Sequence, residues 1–220
     1  MIARVLTTGL IAGLVAGLAV AALQHFTTTP LILAAEVYEA AQHAHDGAEA
    51  GPAFSGLSRT AATSVATIAV SIGYALILLA GMLLAGDAIA PRRAALWGAC
   101  AFAATGLATA LGLAPQLPGM AETELAARQI WWLATALSTG AGLFALLRRD
   151  SAAAKIAGIA LILAPQFFAP TPATPESTAP AELAARFAAS SLAIQAISWA
   201  LAGALVGLVW RLVSRESEAS

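Results

Sequence analysis

The segment Ala35-Glu36-Val37-Tyr38-Glu39-Ala40-Ala41-Gln42-His43-Ala44-His45-Asp46 sets two carboxylates and an imidazole at positions i, i+3 and i+7. On a helix these share one face, with Glu39 and His43 one turn apart. Nothing breaks a helix before Gly47, and Thr29-Pro30 supplies a start. Carboxylate oxygen with imidazole nitrogen suits a borderline divalent ion such as cobalt, nickel or zinc, whereas copper(I) asks for cysteine or methionine. His25, at the end of the first apolar run, is placed to close such a site from below. His45 and Asp46 point elsewhere on an ideal helix, and join only if the helix ends near His43. An ordinary solvated amphipathic linker has the same residue types, since spacing fixes neither coordination number nor geometry.

A second set of polar residues comes with an internal repeat. Ala114-Pro115-Gln116, followed by Glu124-Leu125-Ala126-Ala127-Arg128, recurs as Ala164-Pro165-Gln166, followed by Glu182-Leu183-Ala184-Ala185-Arg186. Gln24 with Leu57-Ser58-Arg59 is a fainter copy. Parallel repeats of this kind would bring Gln24, Gln116 and Gln166 to one depth, with Arg59, Arg128 and Arg186 near them. Pro115 and Pro165 would free backbone carbonyls there, so the set reads as a pathway for a partly dehydrated cation. The plainer reading makes the glutamines helix-end caps and the arginines interface markers. Hydroxyls within the apolar runs, including Thr135, Ser138 and Thr139, are expected to bond a carbonyl one turn back or to join helices, a pathway lining being the alternative.

The elements that position these residues follow from the charge pattern. The 220 residues are 60% hydrophobic and 10% charged, far below the roughly 25% charged of a soluble domain. The charges leave six apolar runs, each near the roughly 20 helical residues that cross a bilayer core. They predict an all-α polytopic membrane protein with helices at 5–26, 60–85, 94–113, 129–147, 152–169 and 187–210. These form one integral domain over 1–220, as repeated helical hairpins at about 5–86, 94–147 and 152–210. An acidic, histidine-bearing segment spans 27–58, and a short tail 211–220. Gly9, Gly13 and Gly17 make two overlapping G-x-x-x-G steps, a flat strip for close helix approach. Trp97, Trp131, Trp132 and Trp210 fall near span ends and read as interfacial belts.

Arg4, Arg92, Arg93, Arg148, Arg149, Lys155, Arg211 and Arg215 fall on one side of the predicted topology, and Arg59, Arg128 and Arg186 on the other. Positive loops mark the cytoplasmic side, so both termini are expected there. The opposite face is acidic and has all three histidines. No ionisable side chain lies mid-span, which argues against a proton relay at that depth. The near-zero net charge and the absence of a G-x-x-x-x-G-K-[ST] loop exclude a nucleic-acid binder and an ATPase. No H-E-x-x-H pair and no nucleophile beside a base suggest an enzyme, and the single Cys100 offers no disulfide or thiolate cluster.

The E-x-x-E segment after the first span, the A-P-Q-L-P-G turn at 114–119 leading to Arg128-Gln129-Ile130-Trp131-Trp132, and the proline-rich last loop before Leu183 and Phe187 together resemble the CbtA family of cobalt transporter subunits. The resemblance runs over roughly 2–212 and is most specific between the P-Q-L-P-G and R-Q-x-W-W blocks. It implies cobalt import for cobalamin biosynthesis, with no permanently bound cofactor and cobalt or another divalent cation as cargo. It also implies a small CbtB-type partner with one span and a histidine-rich tail. A homo-oligomer is compatible with it. The alternatives are a metal-binding subunit of a multi-component ATP-driven importer and a membrane scaffold without transport activity.

Overall fold

A computed structural model describes residues 1–46, 57–121, 123–172 and 177–219. The described residues form helices and connecting turns, with no strand among them. In chain order the helices are α1 (Ile2–Phe26), α2 (Thr28–Asp46), α3 (Leu57–Leu84), α4 (Pro91–Phe102) and α5 (Ala108–Gly112), then α6 (Leu125–Arg148), α7 (Ala152–Leu163) and α8 (Ala181–Ala219). A π turn, Ala103–Leu107, joins α4 to α5, and a 3-10 turn, Ala164–Phe168, extends α7.

Five helical segments are long and apolar enough to cross a membrane: Ile2–Phe26, Ser58–Leu84, Pro91–Gly112, Leu125–Arg148 and Ala181–Arg215, with the shorter apolar Ala152–Phe168 as a sixth. They fall on the six expected runs. Their ends pass beyond the charge-free windows because arginine and glutamate are good helix formers once a turn faces water. α8 thus opens with Glu182 and Arg186 paired one turn apart at 2.7 Å. The fifth run differs in kind, because Pro165 has no N–H to return to the preceding turn. The α-helix stops at Leu163 and the chain tightens into the 3-10 turn.

The chain divides into two compact units. The first holds α1, α3, α4 up to Ala99 and α8 from Ala193. The glycine strip of α1 meets α3 as its spacing predicts: Gly9 faces Leu76, Gly13 faces Ile72 and Gly17 faces Ile68. A Cβ on Gly17 would lie 2.7 Å from the Ile68 Cα, and one on Gly13 would strike the Ile72 backbone. α4 and α8 approach in the same way, with Gly98 under the Trp199 carbonyl, Gly203 at Ala94 and Gly207 at Pro91. Ala12, Ala75, Leu79, Met82, Ala94, Val206 and Val209 fill the interior. Gly86, at φ +68°, ends α3, with its N–H on the Leu83 carbonyl and the Asp87 N–H on Met82. The Asp87 carboxylate then accepts from the Trp97 indole at 2.8 Å and pairs with Arg93 at 3.1 Å. Tyr74 stacks on Trp199, and Arg4 lies over the Trp210 ring.

The second unit holds α2, the chain from Cys100 through α7 and its 3-10 turn, and α8 up to Leu192. α6 packs most extensively on α7, where Gly142 and Gly158 bring the two backbones together. The sequence assigned these two helices to different hairpins. The Ala-Pro-Gln copies also differ: residues 114–116 follow the end of α5 without helical structure, whereas 164–166 lie in the 3-10 turn. The structure does not confirm the hairpin repeat.

Candidate functional site

α2 is the helix that the acidic and histidine segment predicts, and it runs without a break from Thr28 through Asp46. Glu36 and Glu39 are half-buried on it, and Glu36 is engaged by a partner. The stem of Glu39 lies beside the turn at Gly119, where an added Cβ would stand 3.8 Å from the Glu39 Cβ. Gly119 adopts φ +76°, a conformation glycine enters at no steric cost. Its carbonyl accepts three hydrogen bonds from the last loop: the Thr178 N–H at 2.9 Å, the Thr178 hydroxyl at 3.0 Å and the Ser177 hydroxyl at 3.3 Å. Within the turn, the Gln116 amide donates to the Ala121 carbonyl at 3.3 Å, and the Met120 N–H donates to Leu117. The P-Q-L-P-G block is therefore a closed turn, fastened to Ser177-Thr178 and seated against α2 at Glu39.

His43 and His45 belong to the same helix by backbone, but their side chains lie outside the described residues. His25 is exposed at the end of α1, in the other unit, with its ring edge-on to Phe26. Among the described residues, no three of His, Cys, Asp and Glu come together as a metal-holding group.

The three glutamines have three different environments. Gln24, in the first unit, accepts from the Thr67 hydroxyl at 2.7 Å. Gln116 serves its own turn. Gln166 donates to the Ala108 carbonyl at 3.0 Å, while its Oε1 is buried with no partner. Pro115 follows α5, and the Pro165 carbonyl is occupied by the Trp131 indole N–H at 2.8 Å. Arg59 is engaged, Arg128 is half-buried in the first turn of α6, and Arg186 is exposed in its pair with Glu182. At the start of α6 the exposed Glu124 carboxylate accepts from the N–H groups of Ala126 at 2.9 Å and Ala127 at 2.6 Å. These two bonds hold its carboxyl below the usual carboxylate range.

Trp131 departs from the belt expectation. It is only 6% exposed, whereas Trp132 is 41% exposed and keeps the interfacial character. The Trp131 ring also covers Gly112, which could not bear a Cβ beneath it. Trp131, Thr135, Thr139 and Gly142 form the buried face of α6. Their spacing was a signal available in the sequence, obscured because alanines fill every face of this helix.

No curated protein and no solved structure matches the chain. A family model does: CbtA, probable cobalt transporter subunit, over residues 2–211. With that match covering nearly the whole of a chain built from membrane-length apolar helices, the protein belongs to the CbtA family of probable cobalt transporter subunits.

Proposed function

We propose that this chain is the membrane-spanning subunit of a cobalt(II) import system and that α2 is its capture element. The observation that carries the reading is the seat of Glu39. The turn most characteristic of the family resemblance is bonded closed beside the Glu39 stem, against a helix in whose sequence Glu36 stands three residues before Glu39 and His43 four after. In this reading Glu36, Glu39 and His43 take the ion from the external solution, with His45 as an accessory ligand. A histidine-rich CbtB-type subunit completes the coordination shell, and the imported ion feeds cobalamin synthesis. Both termini face the cytoplasm of a bacterial cell. An inside-negative potential favours entry by about 2.3 kcal/mol per charge per 100 mV.

The test is cobalt uptake by cells expressing the chain with and without the small partner, comparing the native protein with Glu36→Ala, Glu39→Ala and His43→Ala. Glu39→Ala and His43→Ala are expected to lower uptake about tenfold at limiting cobalt, the cost of one lost ligand interaction of about 1.4 kcal/mol. Uptake unchanged in all three variants would remove the capture site and leave the import reading standing. No cobalt-dependent uptake under any pairing would remove the import reading itself.

A further inference from the structure

Among the described residues, several hydroxyl groups in the helices return to their own backbone. Thr105 donates to Ala101, Thr109 to Thr105, Ser138 to Thr135 and Ser214 to Trp210. Thr135 and Thr139 break this habit. They are 0% and 2% exposed, and neither hydroxyl has a partner. Two further buried oxygens in the same unit, Gln166 Oε1 and Thr123 Oγ1, are also unpartnered, and of these Gln166 lies on the 3-10 turn that packs against α6. Leaving such a group unpaired costs about 1–3 kcal/mol, so a polar ligand from outside the chain would be stabilised by the oxygens of Thr135, Thr139 and Gln166.

Their juxtaposition follows from the helix course. α5 ends at Gly112 beneath Trp131, and α6 returns antiparallel from there. One turn back along α5 is Ala108 and one turn forward along α6 is Thr135, which sets those residues level. The Gln166 amide is anchored at that level by its bond to the Ala108 carbonyl. A further turn brings Thr139 to the π turn, against which α6 packs. π turns interrupt the regular helical ladder and often occur at functional positions.

We propose that Gln166 Oε1, Thr135 Oγ1 and Thr139 Oγ1 form an oxygen-lined transit site for a partly hydrated divalent cation. The proposal rests on the import reading but concerns a site apart from α2. An amide oxygen can only accept, and each hydroxyl has two lone pairs, so the set can face a cation or the protons of its water. It contains no carboxylate to neutralise a divalent charge, so the ion keeps part of its hydration shell and its stay is brief. Neutral oxygens do not favour cobalt over magnesium or manganese. Selectivity therefore belongs to the capture step.

Trp131, one helical turn from Thr135, reports on the site, because paramagnetic cobalt(II) quenches a nearby indole. Full-length protein in detergent, titrated with cobalt(II) chloride, is expected to show saturable quenching that diamagnetic magnesium chloride reverses. The isosteric Thr135→Val/Thr139→Val pair and Gln166→Leu are expected to lose it. Thr135→Ser/Thr139→Ser and Glu39→Ala/His43→Ala are expected to keep it, the serine pair serving as the folding control. Absence of quenching in the native protein, or quenching unchanged in the valine pair, overturns the site. In proteoliposomes the valine pair is expected to slow cobalt uptake about tenfold, and an unchanged rate also overturns the proposal. Quenching as expected without any uptake by native protein, alone or with the small partner, would instead sink the import reading and leave the three oxygens as a cation-binding site without transit.

Discussion

Glu124 and Glu182 begin the same five-residue word, Glu-Leu-Ala-Ala-Arg, yet they do different work. Glu124 stands outside α6 and caps it by accepting two backbone N–H groups, whereas Glu182 lies inside the first turn of α8 and pairs with Arg186. The difference comes from what precedes each word. Pro180 fixes its own φ near the helical value and starts α8 ahead of the glutamate, while Thr123 imposes no such start. That a span opens at each word was legible in the sequence; the role of each glutamate required its neighbours. A pH dependence follows for Glu124. Its folded carboxyl is held below the ordinary range by the Ala126 and Ala127 amides. Its stabilising contribution is therefore complete above the unfolded-state value and fades as pH falls through the lowered one. Glu124→Gln is expected to lower the apparent melting temperature modestly at neutral pH, with the gap to native protein closing in acid. Thermal melts of both proteins in one detergent across that range check this, and a gap constant with pH would show that the cap is not the cause.

At the scale of elements, the sequence was readable where three glycines recur at steps of four on one helix. The strip Gly9, Gly13 and Gly17 predicted a close neighbour, and α3 is that neighbour, lying with Ile72 and Ile68 against it. The contacts made by Gly142 on Gly158 and by Gly203 and Gly207 on α4 were equally strong but went unread, because alanine surrounds them and makes small positions common on every face. Backbone breaks were unread for a related reason. Nothing in Ala103-Ala104-Thr105-Gly106-Leu107 forbids a regular α-helix, so the π turn is imposed by packing. The packing claim can be tested on one helix pair. Gly13→Val drives a side chain into the Ile72 backbone, and overpacking of this kind costs about 1–3 kcal/mol. Gly73→Ala, on α3 with nothing within 4 Å of the new Cβ, is expected to be neutral or to stabilise by up to about 1 kcal/mol. Denaturant titration of the two variants in mixed micelles separates them, and equal effects would remove close approach as the reason for the glycines.

For the molecule as a whole, the sidedness of the termini depends on one element, the apolar segment Ala152–Phe168. If it crosses the membrane, the chain makes six passes and both ends share a side; if it does not, the five longer segments leave the ends on opposite sides. As seventeen residues of α-helix it would reach about 26 Å at about 1.5 Å each, short of a hydrocarbon core of about 30 Å. Its last five residues are instead 3-10, with a rise of about 2.0 Å each, which lengthens it to about 28 Å. Pro165, which ends the α-helix, thus helps the shortest segment toward bilayer length. The charges agree with a crossing, since Arg148 and Arg149 precede it, Lys155 lies in its first turn and the loop after it has no lysine or arginine before Arg186. Green fluorescent protein fused after Ser220 is therefore expected to fluoresce and alkaline phosphatase fused there to be inactive. Phosphatase fused to a chain ending at Ala169 is expected to be active. Active phosphatase at the C-terminus, with the N-terminus shown to be cytoplasmic by its own fusion, would mean that Ala152–Phe168 turns back within the membrane and that the chain has five passes.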